Sequence, residues 1–348
     1  MYITKLNLQN FKSYINQDFE FKKITLLTGL NGAGKSSIFQ SLRMIWQSLN
    51  TGHSVINQYG ELSTLKNKDT RDDDFYLTLD IEGKEDYMIY YLGLDNFSGY
   101  TENISTSKAK YINLVYISAN RLGPTEFQHI RNENVVINNN VGINGEYTLD
   151  ILSKYGEINL PESFKDDVTK QNILINHVEK WLQVISPNIK LEIELNKKMN
   201  VASFTSNGFT PLNIGFGVSY TLSIIVQLLV SVIQYDRDKT KTVILMENPE
   251  AHLHPKGQTK IAEFIAMIAN YGVQVIIETH SDYILDGLRL AVKDDENINH
   301  EDTKLYYLEL DKDDNTEVKS PQIDKDGYLD EWPENFFDTS INNKMNLA

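Results

Sequence analysis

Apolar and polar residues alternate from Met1 to Leu8, the period of a half-buried strand. Asn10 to Ser13 reads as a turn, and Ile24 to Thr28 is a short apolar run. From Ser36 to Leu49 the period changes, and Ile38, Phe39, Leu42, Ile45 and Trp46 share one face of a helix. Strands Phe75–Ile81 and Tyr87–Leu94 are predicted on either side of Gly83, and Ile112–Ser118 reads as another. Residues 123–200 break this rhythm. Pro124, the Asn-rich run Asn132–Asn144 and helical patterns near Tyr147–Tyr155 and Val168–Ile185 predict a mostly helical insertion.

Strand pattern returns at Ile189–Leu195 and Val201–Phe204. Val218 to Tyr235 is apolar on nearly every side and is about long enough to cross a bilayer. Its Ser219, Thr221, Ser223, Gln227, Ser231 and Gln234 favour a buried core helix, and no membrane is expected. Strands Thr242–Glu247 and Val273–Thr279 then alternate with helices Lys256–Asn270 and Asp282–Val292. That alternation predicts an α/β fold with helices covering a sheet. Thr303–Leu310 and Glu317–Ile323 close the pattern as strands.

The 348 residues suit one large domain with an insertion. Cys is absent, which excludes disulfides and thiolate metal sites. Residues 1–30 show neither the apolar stretch nor the cleavage site of a secretory leader, so a cytoplasmic protein is expected. The net charge of −15 argues against a general polyanion binder. DNA contact would need a local patch or a partner, and Lys190, Lys197 and Lys198 form only a weak, solvated cluster.

Two distant motifs carry chemistry. Gly29 to Ser36 fits G-x-x-x-x-G-K-[ST], between a predicted strand and a predicted helix. Glycines let backbone N–H groups face phosphates, and the helix N-terminus adds positive potential there. Asn31, Gly32, Ala33, Gly34, Lys35, Ser36 and Ser37 are the candidate phosphate cradle. Lys35 would reach the β- and γ-phosphates, and the Ser36 hydroxyl would ligate Mg2+. The second motif is Val243 to Pro255, VILMENPEAHLHP. Glu247 ends a buried strand, where it is expected to hold Mg2+ through water.

Glu278-Thr279-His280-Ser281-Asp282 ends the next buried strand, and His280 there could report a γ-phosphate. Ser281 or Asp282 could equally cap a helix. Gly215-Phe216-Gly217-Val218-Ser219 leads into the long helix, and Gly217 with Ser219 forms a second phosphate-binding end. One nucleotide rarely needs two such ends from one subunit, which points to a head-to-tail dimer. His252 and His254 are expected to line its seam rather than join His280 around a metal.

Together these residues resemble the ABC-type ATPase heads of the SMC/RecF class, most closely the OLD-like AAA-family ATPases of bacteria. The likeness also draws on Leu8 to Ser13, Ser118 to Pro124, Lys256-Gly257-Gln258, Glu331-Trp332-Pro333 and Phe336-Phe337-Asp338. It implies a P-loop NTPase of ABC-head type, with a mixed central sheet flanked by helices and a helical lid. The halves of the head would be residues 1–122 and 201–348, with the lid at 123–200. It implies ATP and Mg2+ as cofactors, a head-to-tail homodimer or higher oligomer, Ser219 as signature serine and His280 as switch histidine. Members usually act on DNA or in antiphage defence, beside an effector such as a nuclease or toxin.

Three departures stand out. The usual acid pair is Asp-Glu, and here it reads Glu247-Asn248. Asn cannot accept the proton of an attacking water, so Glu250 or Glu278 takes that role or turnover is slow. No heptad run supports coiled-coil arms. The residues beyond the closing strands are too few for the nuclease domain that ends OLD proteins. Asp311, Asp313, Asp324 and Asp326 are therefore read as turn residues.

Overall fold

A computed structural model describes residues 2–51, 59, 62–71, 74–81, 87–92, 100–102, 112–131, 140–165, 171–185, 189–196, 198–294, 297–334, 336–337 and 347. Gly83, residues 132–139 of the Asn-rich run, residues 168–170, Lys197 and Asp338 lie outside the described residues.

In chain order the elements are β1 (Ile3–Phe11), β2 (Tyr14–Glu20), β3 (Ile24–Gly29), α1 (Lys35–Thr51), β4 (Phe75–Ile81), β5 (Tyr87–Leu92), β6 (Tyr100–Glu102), β7 (Ile112–Ile117) and β8 (Gln128–His129). There follow α2 (Thr148–Tyr155), α3 (Leu174–Ile185), β9 (Leu191–Asn196), β10 (Val201–Ser206), α4 (Phe216–Asp238), β11 (Lys241–Glu247) and α5 (Pro255–Tyr271). The chain closes with β12 (Gln274–Glu278), α6 (Asp282–Lys293), β13 (Thr303–Leu310) and β14 (Thr316–Lys319). They fall into two compact units, Met1–Leu114 with His300–Ala348, and Val115–Asn299. These boundaries differ from the three segments expected above, because the two ends of the chain pack together.

In the first unit an antiparallel sheet runs β2-β1-β4-β5-β6. The alternation at the start of the chain does produce β1, with Leu6 and Leu8 fully buried. The strand runs on to Phe11, which pairs with Tyr14 across a tight turn. Asn10 and Lys12 take positive φ there, 56° and 51°. Strand β2 escaped the pattern because only Tyr14 and Phe19 of its seven residues are buried. Beside this sheet β3 pairs in parallel with β13, and β13 pairs antiparallel with β14, so the arrangement is mixed.

In the second unit β11 and β12 form a parallel pair with Glu247 opposite Glu278. The core helix α4 is two residues longer at its start and three longer at its end than the apolar run suggests. It is 78% buried over its most apolar stretch. Each fully buried Leu, Ile or Val there contributes about 1.5–3 kcal/mol. Its buried Gln227 is satisfied internally, accepting from Val141 N at 2.9 Å and donating to Ser231 Oγ at 3.1 Å. Residues 123–200 hold α2 and α3, β9 close to the strand predicted at Ile189–Leu195, and β8, which the pattern did not show; β8 and β9 pair antiparallel with β10. Asp150 of α2 is fully buried and carries two cations, Arg131 Nε at 2.7 Å and Lys154 Nζ at 2.8 Å.

Candidate functional site

In the first unit β3 delivers the chain into the phosphate loop, and α1 begins at Lys35. Gly29 has φ 136°, and a Cβ there would stand 2.0 Å from the Leu308 carbonyl oxygen of β13. Only glycine lets the loop leave the sheet at this point. Lys35 is 3% exposed, and its Nζ donates to the carbonyls of Gly29 at 2.9 Å and Leu30 at 2.8 Å. Ala33 and Ser37 are buried, whereas Asn31, Gly32 and Ser36 are exposed at the mouth of the loop. The expected cradle residues are thus gathered around one helix N-terminus.

Three hydroxyl residues brace this loop, and two of them, Tyr14 and Thr316, the sequence did not single out. Tyr14 Oη donates to the Gly34 carbonyl at 3.0 Å, and Thr316 Oγ1 donates to the Ala33 carbonyl at 3.1 Å. Ser13 Oγ lies 2.6 Å from Thr316 Oγ1, and Thr316 N donates to Ser13 O at 2.8 Å. Ser13 belongs to the Leu8–Ser13 motif, which was a usable signal. Nothing in the local pattern of Thr316 marks it.

The second unit gathers Glu247, Glu250, Glu278 and His280. Tyr116 Oη donates to Glu247 Oε1 at 2.8 Å, and Ala119 N donates to Glu247 Oε2 at 2.9 Å. Each carboxylate oxygen keeps a further acceptor position, so Glu247 can still receive a water or a hydrated cation. Arg121 is 2% exposed and spans the turn from behind. It donates to the carbonyls of Ser118 at 2.9 Å, Glu247 at 2.6 Å and Asn248 at 2.6 Å. Burial pulls its pKa down to about 10, against the charges of Glu250, Tyr220 and Glu247, so it remains a cation at neutral pH.

Asn248 has φ 44° and donates its backbone N–H to the Glu278 carbonyl at 2.8 Å. Asn tolerates this left-handed backbone better than Glu does. Its Nδ2 donates to Glu250 Oε1 at 3.2 Å, and His280 N donates to the same oxygen at 3.0 Å. Glu250 Oε2 is buried with no hydrogen-bond partner among the described residues. Glu278 is itself 7% exposed. The His280 side chain is exposed, and Ser281 caps α6 by accepting from Tyr283 N at 3.1 Å and Ile284 N at 3.4 Å. Capping and histidine presentation therefore coexist on one turn.

The GFGVS segment departs from its expected form. It does not precede α4 but makes its first turn, with Gly215 as N-cap. A Cβ on Gly217 would come 2.9 Å from the His252 carbonyl oxygen, so this glycine permits close packing against the ENPEAHLHP turn. Ser219 Oγ is buried without a hydrogen-bond partner among the described residues, while Gly215 and Phe216 are exposed. His252 is held by the rings of Phe216 at 5.4 Å and Tyr220 at 4.5 Å. His254 caps α5 by accepting from Lys256 N at 3.3 Å. Among the described residues no group of three His, Cys, Asp or Glu side chains is placed to hold a metal by itself. Lys190 is paired with Glu192 at 2.9 Å, which weakens the basic cluster further.

The phosphate loop at the end of a buried strand, the strand-end acid and the mixed sheets with flanking helices define an α/β P-loop ATPase fold of the ABC-head type. The AAA_21 family, described as "AAA domain, putative AbiEii toxin, Type IV TA system", matches residues 87–286. That is more than half of the chain, and the chain belongs to this family. A family of unknown function, DUF3696, matches residues 298–347. A 59-residue stretch is 39% identical to the DNA replication and repair protein RecF of Francisella tularensis subsp. novicida (strain U112). It covers 17% of this chain and 17% of that protein. The fold is similar to an SMC head bound to the C-winged helix domain of ScpA, at TM-score 0.56 and 15% identity over 93% of this chain and 99% of that one. It is also similar to the SMC head with an extended coiled coil bound to the C-terminal domain of ScpA from Pyrococcus furiosus. That match has TM-score 0.54 and 15% identity, covering 92% of this chain and 96% of the other.

Proposed function

We propose that the chain binds ATP with Mg2+ and hydrolyses it slowly as a head-to-tail dimer, serving as sensor or motor for a separate effector such as a nuclease or toxin. The observation that carries this reading is the braced phosphate loop, in which Lys35 Nζ is drawn back onto the Gly29 and Leu30 carbonyls. An ammonium held at the mouth of a helix N-terminus is suited to phosphate oxygens. Residues Asn31 to Ser37 would bind the phosphates, with Ser36 and Glu247 as metal ligands. Magnesium, when bound, would neutralise phosphate charge. The α4 end with Gly217 and Ser219 would cover the partner's nucleotide. Because Ser219 Oγ faces inward, the backbone N–H groups of that end are better placed for this than the hydroxyl.

Glu250 is the preferred general base over Glu278. It has an oxygen without a partner and shares its other oxygen with the His280 backbone, whereas Glu278 closes a buried strand. In this reading Glu250 takes the proton of the attacking water, and His280 donates to the γ-phosphate. The family description names a putative toxin of a toxin–antitoxin system. That favours an OLD-like role in antiphage defence over DNA maintenance.

A second reading is an ATP-locked scaffold that restrains a toxic or nuclease partner. The bond from Asn248 Nδ2 to Glu250 Oε1 favours it, since it occupies an oxygen that would otherwise be open to the attacking water. Sedimentation with and without ATP, together with phosphate release over hours, tests both. Dimerisation by ATP that is lost in Lys35→Ala is expected in either case, and a monomer at all ATP concentrations refutes both. Rapid release that depends on Glu250 eliminates the scaffold.

A further inference from the structure

Helices α3 and α5 of the second unit lie side by side. At one end they touch closely, since a Cβ on Gly257 would meet the Ile185 carbonyl oxygen at 3.0 Å. Trp181 and Phe264 pack between them, with ring centroids 4.4 Å apart. At the other end the two helices and the short turn Glu162–Phe164 border a cavity of about 390 Å³ that is open to solvent. That volume falls in the range of small-molecule sites. The cavity sits at the opposite end of α5 from the acid turn, about 25 Å along a helix of that length. It therefore shares no residue with the phosphate loop or the acid cluster.

Four rings line it, from Phe164, Trp181, Tyr271 and His177, together with the cations Lys165 and Lys180 and the amide of Asn270. Phe164 stands edge-on to Tyr271 at 5.2 Å and to the buried His177 at 6.3 Å, so one aromatic face of the wall is fixed by packing. Lys180 Nζ lies 5.9 Å from the Trp181 ring centroid, within reach of its π-face. No carboxylate is among the described lining residues, in a chain whose net charge is −15. Lys165 forms a long ion pair with Glu162 at 3.8 Å, in which both side chains are exposed and solvent-screened. Tyr271 Oη donates to Asp236 at 3.2 Å, and burial holds its pKa up to about 12, so the hydroxyl stays neutral.

We propose that this cavity binds a planar aromatic anion, its ring packed among Phe164, Trp181 and Tyr271 and its acid group held by Lys165 and Lys180. A cation of the same shape would be placed beside two ammonium groups. A small anion without a ring would leave the aromatic wall wet. Both features are therefore needed together, which restricts the ligand class.

Calorimetric titration of the full chain with three matched probes tests this. Indole-3-acetate carries ring and anion, tryptamine carries the ring with a cation, and acetate carries the anion alone. Indole-3-acetate is expected to bind with a dissociation constant of about 1 mM or tighter, a modest yield per atom for a ligand of its size. Tryptamine and acetate should bind at least about tenfold more weakly. The double variant Lys165→Glu/Lys180→Glu should weaken indole-3-acetate by about tenfold or more. Both lysines reach solvent, so this variant should fold, and an unchanged circular dichroism melt checks that. Lys165→Gln/Lys180→Gln should show a smaller loss in the same direction. Equal affinity for tryptamine, no binding of indole-3-acetate, or binding indifferent to both double variants would each overturn the proposal.

Discussion

Arg121 Nη2 donates to the backbone carbonyl of Asn248 at 2.6 Å, while Nη1 of the same guanidinium reaches the Glu247 carbonyl at 2.6 Å. One buried side chain thus fixes the two backbone positions at which the strand-end acid is presented. Replacing it with Ala removes the donor to those carbonyls and the cation that stands 5.5 Å from the Tyr220 ring centroid. The loss is expected to be about 3 kcal/mol of unfolding free energy, measured by urea titration. Lys at this position can reach one carbonyl but not three, so Arg121→Lys should recover only part of the loss.

The same residue sets a pH dependence. Burial depresses its pKa to about 10, below the ordinary guanidinium range. The unfolded chain holds that proton more tightly, so the charge opposes folding below about 10, and this cost fades as the pH rises above that value. From about pH 6 to 9 Arg121 is charged in both states. The stability difference between the wild type and Arg121→Gln should therefore be flat over that window in denaturant titrations. A slope there would mean that the guanidinium titrates near neutrality, contrary to its placement.

Asn248 tests whether an acid can simply be restored beside Glu247. The residue is held at φ 44°, where a Glu costs about 1 kcal/mol more than an Asn. It would also bring a second carboxylate next to Glu250, whose Oε1 now receives the Asn248 amide at 3.2 Å. Asn248→Glu is expected to lower the melting temperature and not to raise the rate of phosphate release. A rate gain of about tenfold would show that the missing base at this position is what limits turnover.

Much of this arrangement was legible in the pattern of residues. The strands and helices from Thr242 to Val292 read directly, because every strand face there is buried and the helices keep a clean apolar stripe. The phosphate loop and Glu247 stand out as candidates in the sequence because the chemistry they suggest needs fixed residue types at fixed spacing. What escaped depends on contacts between distant segments. Tyr116 and Arg121 hold the acid turn from more than a hundred residues away, and Thr316 braces a loop that lies near residue 33. The inward Ser219 escaped for a different reason. Helix α4 begins three residues before it, so its hydroxyl is committed to the helix's packed side.

Glu250 and Glu278 can be separated by single substitutions. Glu250→Gln keeps the shape and its acceptor for His280 N but removes a proton acceptor. It should cut phosphate release about tenfold or more while leaving ATP binding intact. Glu278→Gln lies on a buried strand and should mainly change stability, visible in the melt. The opposite ranking would move the base to Glu278.

The brace on the phosphate loop gives the last test. Thr316 Oγ1 donates to the Ala33 carbonyl and lies against Ser13 Oγ, and both bonds vanish in Thr316→Val with little change in volume. Two lost neutral hydrogen bonds are worth about 1–2 kcal/mol together. If the brace holds the loop in its phosphate-ready shape, ATP affinity should fall by roughly tenfold, with a smaller change in melting temperature. Thr316→Ser keeps the hydroxyl and should restore affinity. Calorimetric ATP titration of the two variants separates this from a purely structural role, in which Val and Ser would lose stability without a selective loss of binding.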